Sequence, residues 1–226
     1  MPLLKQLPFL FCLIFISACS QRGKDVLATV DEAVFGFPNV IKTKEALQDI
    51  PYANSYLKID NGHQVLIVLA LAELSPKDPT QTQLKWLSAD RVMLTTENGR
   101  LIKTLRLLNN NISGLNANNS IDPLTLNGKK PNNHEWHAIY DWQPQYRYNY
   151  EANLTWNYID SETIHSTIWD KETDYYQEEV SIPAIHAQFT NHFWLDKTSH
   201  EVVKSIQYLG PDMASIEMTI LKPFTR

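Results

Sequence analysis

From Arg147 to Tyr158 the chain alternates without a break. Tyr148, Tyr150, Ala152, Leu154, Trp156 and Tyr158 fall on one face, Arg147, Asn149, Glu151, Asn153, Thr155 and Asn157 on the other, and Tyr146 begins the apolar series. A period of two marks a half-buried β-strand, and at about 3.3 Å per residue such a run reaches about 40 Å. A strand of that length predicts a large, twisted or barrel-like antiparallel sheet. Its aromatic face reads as core in preference to a ligand platform, because aromatic sheet faces are usually buried.

The same alternation precedes it in EWHAIYDW, with Trp136, Ala138, Tyr140 and Trp142 on one face. SETIHSTIWD and YYQEEVSIP follow as two further strands. Upstream, NSYLKIDNGHQVLIVLALAEL reads as a hairpin turning at Asn61-Gly62, and LKWLSADRVMLTTENGRLIKTLRL as three strands turning near Ala89-Asp90 and at Asn98-Gly99. HFWLD, EVVKSIQYL and SIEMTILKP complete a series of about ten to twelve strands in hairpin order. The fold predicted is all-β: a large antiparallel meander sheet curled into a barrel-like or sandwich arrangement. One short N-terminal helix is added by Val26, Val30, Ala33 and Val34, spaced i, i+4, i+7 and i+8 over residues 25–35 and ended by Gly36. The Asn-rich stretch 109–133 reads as a long loop, and Asn116 to Asn119 on it form the candidate contact surface.

A different pattern governs the start of the chain. Lys5 precedes an apolar run from Pro8 to Ala18, too short for a bilayer, where a helix needs about 20 residues, but laid out like a secretory signal peptide. Ile16-Ser17-Ala18-Cys19 resembles the bacterial lipobox. That resemblance implies cleavage before Cys19, a diacylglyceryl group on its sulfur and an added palmitate-type chain on the new amino terminus. Ser20, where inner-membrane lipoproteins carry Asp, points by the same resemblance to the outer membrane. Residues 1–18 are therefore the expected signal peptide, 19–24 a lipid-anchored tether, and 19–226 a single periplasmic β domain. More than one long chain makes such an anchor stable.

Cleavage removes Cys12 and lipidation occupies Cys19, so no disulfide, cysteine nucleophile or thiolate metal site is expected. The formal charge of −5 comes without a basic cluster, which excludes a nucleic-acid partner. His134-Glu135-Trp136-His137 lacks the i, i+4 spacing of a zinc helix and lies on a strand, where residues 134 and 137 face opposite ways. No metal, no cofactor and no catalytic set is expected. The carboxylate pairs Glu178-Glu179 and Asp170 with Asp174 read as solvated. Among the aromatics, Trp169 and Tyr175 or Tyr176 are the exposed candidates for glycan contact.

LKWLSADRVMLTTENGRLIKTL and FWLD with VVKSIQYLGPDMASIEMTILKPF, together with PYANSY and LIVLALAE, resemble the YjbF/GfcB family of bacterial outer-membrane lipoproteins associated with group 4 capsule and exopolysaccharide operons. The family usually continues the Asp196 turn with a Thr-Gly pair, which Ser199-His200 replaces here. The resemblance implies an all-β lipoprotein working in polysaccharide assembly or export across the periplasm and outer membrane, with its molecular activity undefined; together with the lack of a catalytic set and the abundant strand aromatics it favours a lipid-anchored, non-enzymatic component facing the periplasm from the outer membrane. It would bind a glycan or proteins of the export machinery. A polysaccharide-modifying enzyme, and after it a lipid or lipoprotein carrier, are the alternative readings.

Overall fold

In the computed structural model, residues 38–225 are described, apart from 109, 127, 145, 146 and 212. The expected signal peptide, Cys19 and the helix expected over 25–35 lie outside the described residues. Backbone contacts divide the chain into Met1–Asn39 and Val40–Arg226, and the second unit is the β structure.

It consists of twelve strands: β1 (Asn54–Ile59), β2 (Val65–Leu74), β3 (Thr82–Leu87), β4 (Met93–Glu97), β5 (Arg100–Leu105), β6 (Asn111–Ala117), β7 (His134–Gln143), β8 (Arg147–His165), β9 (Asp170–Ile182), β10 (Ala187–Asp196), β11 (Val202–Tyr208) and β12 (Ser215–Lys222). The sheet order is β5-β4-β3-β2-β1-β12-β11-β10-β9-β8-β7-β6. Every neighbouring pair is antiparallel. The expected meander is therefore present, and β1 beside β12 brings the two ends of the domain together. The two free edges belong to consecutive strands, β5 and β6, which meet to leave a nearly closed, barrel-like sheet.

The inner face follows from the alternation. Trp136, Ala138, Tyr140 and Trp142 of β7 and Ala152, Leu154 and Trp156 of β8 are all buried, as period two requires. All but Trp156 pack with Leu57, Ile67, Trp86, Leu94 and Met218 from the other half of the sheet, and Trp156 packs in a second cluster with Leu124, Tyr176, Phe193 and Leu195. Tyr148 and Tyr158, toward the ends of the same stripe, are exposed. SETIH continues β8, whose 19 residues pair with β9 across a register shift between Tyr158 and Asp160. The break expected after Tyr158 is thus a bulge within one strand.

Two other elements depart from expectation. Residues 109–133 are not all loop: Asn111–Ala117 form β6, followed by a 3-10 turn at Pro123–Thr125. A register shift between Ile112 and Gly114 breaks its period, which hides the strand from a pattern of alternation. A five-residue helix, α1 (Lys44–Gln48), precedes the sheet where only strands were expected. The Thr43 hydroxyl accepts from Ala46 N at 3.3 Å as its N-cap, and its Leu47 covers Tyr56 and Leu221. One turn is too short to display a helical period.

Candidate functional site

The Asn98-Gly99 turn places both residues at positive φ, 51° and 86°, the geometry of a tight two-residue hairpin. A Cβ on Gly99 would fall 2.4 Å from Val202 Cβ, so only glycine lets the tip of the β4–β5 hairpin rest on the start of β11. Gln207 of β11 locks that contact, donating to Gly99 O at 3.0 Å and accepting from Leu101 N at 2.9 Å. The hairpin thereby delivers Arg100, the first residue of β5, into the protein.

Arg100 is 2% exposed and grips two carboxylates. Its Nη1 and Nη2 donate to Glu178 Oε1 and Oε2 at 2.8 and 2.7 Å, and its Nη2 donates also to Asp122 Oδ1 at 3.0 Å, with Nε on Asp122 Oδ2. Glu178 faces inward from the middle of β9, fully buried, and takes further bonds from Trp136 Nε1 at 3.2 Å and Asn191 Nδ2 at 3.0 Å. Asp122 caps the 3-10 turn, accepting from Leu124 N at 2.9 Å. The guanidinium lies 4.6 Å from the Trp136 ring centre. Burial alone would disfavour its charge, but Asp122 and Glu178 outweigh burial and hold it protonated above its ordinary range. Burial, and next the Glu178 charge, push the Tyr140 phenol upward, so it stays neutral. Its hydroxyl and Trp156 Nε1 are buried without a hydrogen-bond partner among the described residues.

This cluster closes one end of the β5–β6 seam. The other end is closed by side chains too: Thr104 Oγ1 accepts from Ile112 N at 3.0 Å, and Asn111 Oδ1 accepts from Leu107 N at 3.0 Å. Between the two clasps lies a cleft of about 780 Å³, bordered by Ile102 and Lys103 of β5 and by Ser113, Gly114, Leu115 and Asn116 of β6. Its far wall is the outer face of β2–β4, where Glu73 pairs with Lys85 at 2.5 Å and Gln83 Nε2 donates to Glu97 Oε2 at 3.0 Å. The lining alternates carboxylate, ammonium, amide and hydroxyl groups. Such a lining offers donors and acceptors of both signs to a polyhydroxylated or peptide-like chain. The volume falls within the ordinary range of ligand sites, about 300–1,000 Å³.

The sequence-predicted glycan contacts lie elsewhere. Tyr176 is 1% exposed and stacked on Trp156, which corrects its reading as an exposed candidate; burial, then Asp174 and Tyr158, push its phenol up to about 12. Tyr175 is on the outer face, but its ring stacks on Trp194 at 4.9 Å, and its hydroxyl meets His192 Nδ1 at 2.8 Å. Trp169 is half-buried and donates to Ile220 O and Leu221 O at 3.0 and 3.1 Å. None of the three borders the cleft. Glu178 corrects the expectation of a solvated pair; Glu179 alone of the two is exposed. His134 and His137 engage Ile121 O and Asn153 Oδ1, and no group of three or more metal-ligating side chains occurs among the described residues. Of the Asn116–Asn119 stretch, Asn116 lines the cleft. Sequence reasoning missed Arg100 and Asp122; an Arg directly after Asn-Gly and an Asp before Pro were the available signals.

A twelve-stranded, barrel-like meander with a side-chain-clasped seam and a polar cleft defines an all-β lipoprotein-type scaffold only once its relatives are considered. The comparisons give it a family. The model described as group 4 capsule polysaccharide lipoprotein gfcB, YjbF matches residues 27–221, and the chain belongs to that family. It is 30% identical to the lipoprotein GfcB of Escherichia coli strain K12 over 212 residues, covering 93% of this chain and 94% of that one. It is also 30% identical to the lipoprotein YjbF of the same strain over 214 residues, 94% and 95% of the two chains. The crystal structure of the E. coli lipoprotein YmcC superposes with a TM-score of 0.70 at 29% identity, over 88% of this chain and 96% of that one. These relatives are lipoproteins, and no described helix is long and apolar enough to cross a membrane.

Proposed function

We propose that this capsule-family lipoprotein is a non-enzymatic component of capsule or exopolysaccharide assembly or export, and that it holds a polysaccharide segment in the β5–β6 cleft. Anchored through Cys19 to the outer membrane, the β domain faces the periplasm. The observation that carries the reading is the cleft itself: about 780 Å³, open along a seam, and lined by Lys85, Glu97, Lys103 and Asn116 among other hydrogen-bonding groups. A glycan presents hydroxyls at short intervals, and a lining of mixed donors and acceptors meets them without a deep apolar pocket. Asp122 borders the cleft and Glu178 is fully buried, and Arg100 holds both, which supports binding over acid–base chemistry because a general acid must be free to give up a proton.

The test is the amount of polymer in surface and periplasmic pools of a deletion strain, complemented by wild type, Cys19→Ser and Lys103→Glu. Polymer retained in the periplasm and rescued by wild type alone is the expected result. Unchanged pools under conditions where polymer is made would remove the pathway role. Full rescue by Lys103→Glu would remove the cleft from it.

A further inference from the structure

A second cavity, about 640 Å³, opens at the end of the barrel between β3, the β10–β11 turn, the end of β12 and the segment after β6. On β3 and β4 successive side chains serve the two spaces in turn. Gln83, Lys85 and Thr95 border the cleft, whereas Leu84, Trp86 and Thr96 border the cavity. Neighbours along a strand point to opposite faces, so cleft and cavity lie on the two sides of the β3–β4 ribbon.

They meet where that ribbon ends. Gln81, Asn98 and Thr125 border both spaces. Asn98 Nδ2 donates to Gln81 Oε1 at 2.9 Å, which ties the tip of the β4–β5 hairpin to the β2–β3 loop and makes one bank of the crossing. Thr125, whose hydroxyl donates to Asp122 O at 2.8 Å, makes the other. The segment after β6 is the partition between the two spaces, with Asp122 on the cleft side and Leu124, Leu126 and Lys130 on the cavity side. It is fixed from both: Arg100 grips Asp122, Leu124 belongs to the buried cluster of Trp156, Tyr176 and Phe193, and the Lys130 ammonium donates to Leu124 O and Leu126 O.

The cavity lining is mixed, like that of the cleft. Thr125 and Ser199 bring hydroxyls, His200, Glu201 and Lys130 bring polar heads, and Phe224 brings a ring that keeps part of its surface open. Trp86 forms the buried floor, its one donor taken by Thr96 Oγ1 at 2.9 Å. A sugar ring carries hydroxyls around its edge and C–H groups on its faces, so it can use both halves of such a lining. A wholly apolar ligand would leave the polar groups unmatched.

We infer that this cavity is a second set of sugar subsites, continuous with the cleft over the rim of Gln81, Asn98 and Thr125, so that one polysaccharide strand occupies both. The inference rests on the polysaccharide reading of the cleft and adds a length requirement to it: the bound segment is longer than the cleft alone can hold.

The experiment uses the full chain carrying Cys19→Ser, which removes the lipid anchor, and the exopolysaccharide of the strain that carries the gene, cut by mild acid and sorted by size. Calorimetric titration of the size series should show short fragments binding weakly, then a rise in affinity of at least about tenfold once fragments are long enough to cross the rim, and a plateau beyond. Ser199→Trp, on the exposed turn at the cavity mouth, and Phe224→Ala should leave the short fragments bound as before and remove the gain from length; binding of the short fragments shows that each variant is folded. Lys103→Glu, in the cleft, should weaken fragments of every size. Affinity that does not rise with length on the unaltered cavity, or a rise that survives Ser199→Trp, overturns the inference and leaves the cleft reading standing. Failure of every fragment to bind, or equal binding to the Lys103→Glu chain, overturns the cleft reading and the inference with it.

Discussion

Strands β8 and β9 and strands β5 and β6 are both consecutive, antiparallel and adjacent, yet they are joined by different means. From Asn153 with Ser181 to His165 with Asp170 the first pair is held by a backbone ladder, shifted once at the bulge between Tyr158 and Asp160. The second has no ladder at all; Thr104 and Asn111 clasp one end and Arg100 with Asp122 the other. A backbone ladder repeats along the strand whatever the side chains are, and it leaves no room between strands about 4.8 Å apart. Side-chain clasps act only where the right residues stand, so the stretch between them can open into a cleft. The barrel is therefore complete as a core and interrupted as a wall, and the interruption is where the polar lining gathers.

The sharpest way to break the contrast is to remove the ion cluster. Arg100→Met leaves Glu178 buried without its partner and should cost about 3–5 kcal/mol, the usual penalty for stranding a buried charge. Arg100→Met combined with Glu178→Leu should recover most of that loss. Urea denaturation of the two variants measures both numbers, and additive losses in the double variant would refute the account of the cluster as a coupled unit. Gly99→Ala is the next largest: its Cβ meets Val202 at 2.4 Å at a φ of +86°, and overpacking of this kind costs about 1–3 kcal/mol. Its thermal midpoint should drop while the β8–β9 region keeps its amide protection.

Thr104→Val sharpens the comparison at the other clasp. Losing the acceptor for Ile112 N should cost about 1–2 kcal/mol, the penalty of a buried donor left unpaired. Hydrogen exchange should quicken at Ile112 and Leu107 and stay unchanged along β9. The smallest effect concerns the outer face of β10. Burial lowers the pKa of His192, so the unfolded imidazole takes up a proton first. Stability is therefore full above the unfolded value near 6.5 and declines as the pH falls through the lower native value. His192→Gln should flatten that decline, read as the denaturation midpoint between neutral and mildly acidic pH.

Legibility in the sequence followed the same division as the wall. β7 and β8 could be read because each inner residue repeats every second position, from Trp136 to Trp142 and from Tyr150 to Trp156. The hairpins at Asn61-Gly62 and Asn98-Gly99 were legible because turn geometry is set by neighbours in the chain. β6 was not, since its register shift before Gly114 displaces Leu115 from the period set by Ile112. Glu178 occupies an inner position of β9 between Tyr176 and Val180, and a pattern of alternation reads a carboxylate there as a sign of exposure. Tyr175 and Tyr176 are adjacent, so one must face inward, but only the register with β8 and β10 decides which.

By itself, then, the sequence determined the all-β meander, the hairpin order, the aromatic inner face and the family, because each rests on local period, on turn residues or on a string of residues that can be matched directly. The tertiary structure alone decided that β5 and β6 meet without a ladder, that Arg100 reaches a glutamate 78 positions away and that a cleft opens beside Arg100 and Asp122. The physical reason is that periodicity reports which face a residue occupies, whereas ion pairing and cavity shape depend on which distant faces the closed sheet brings together.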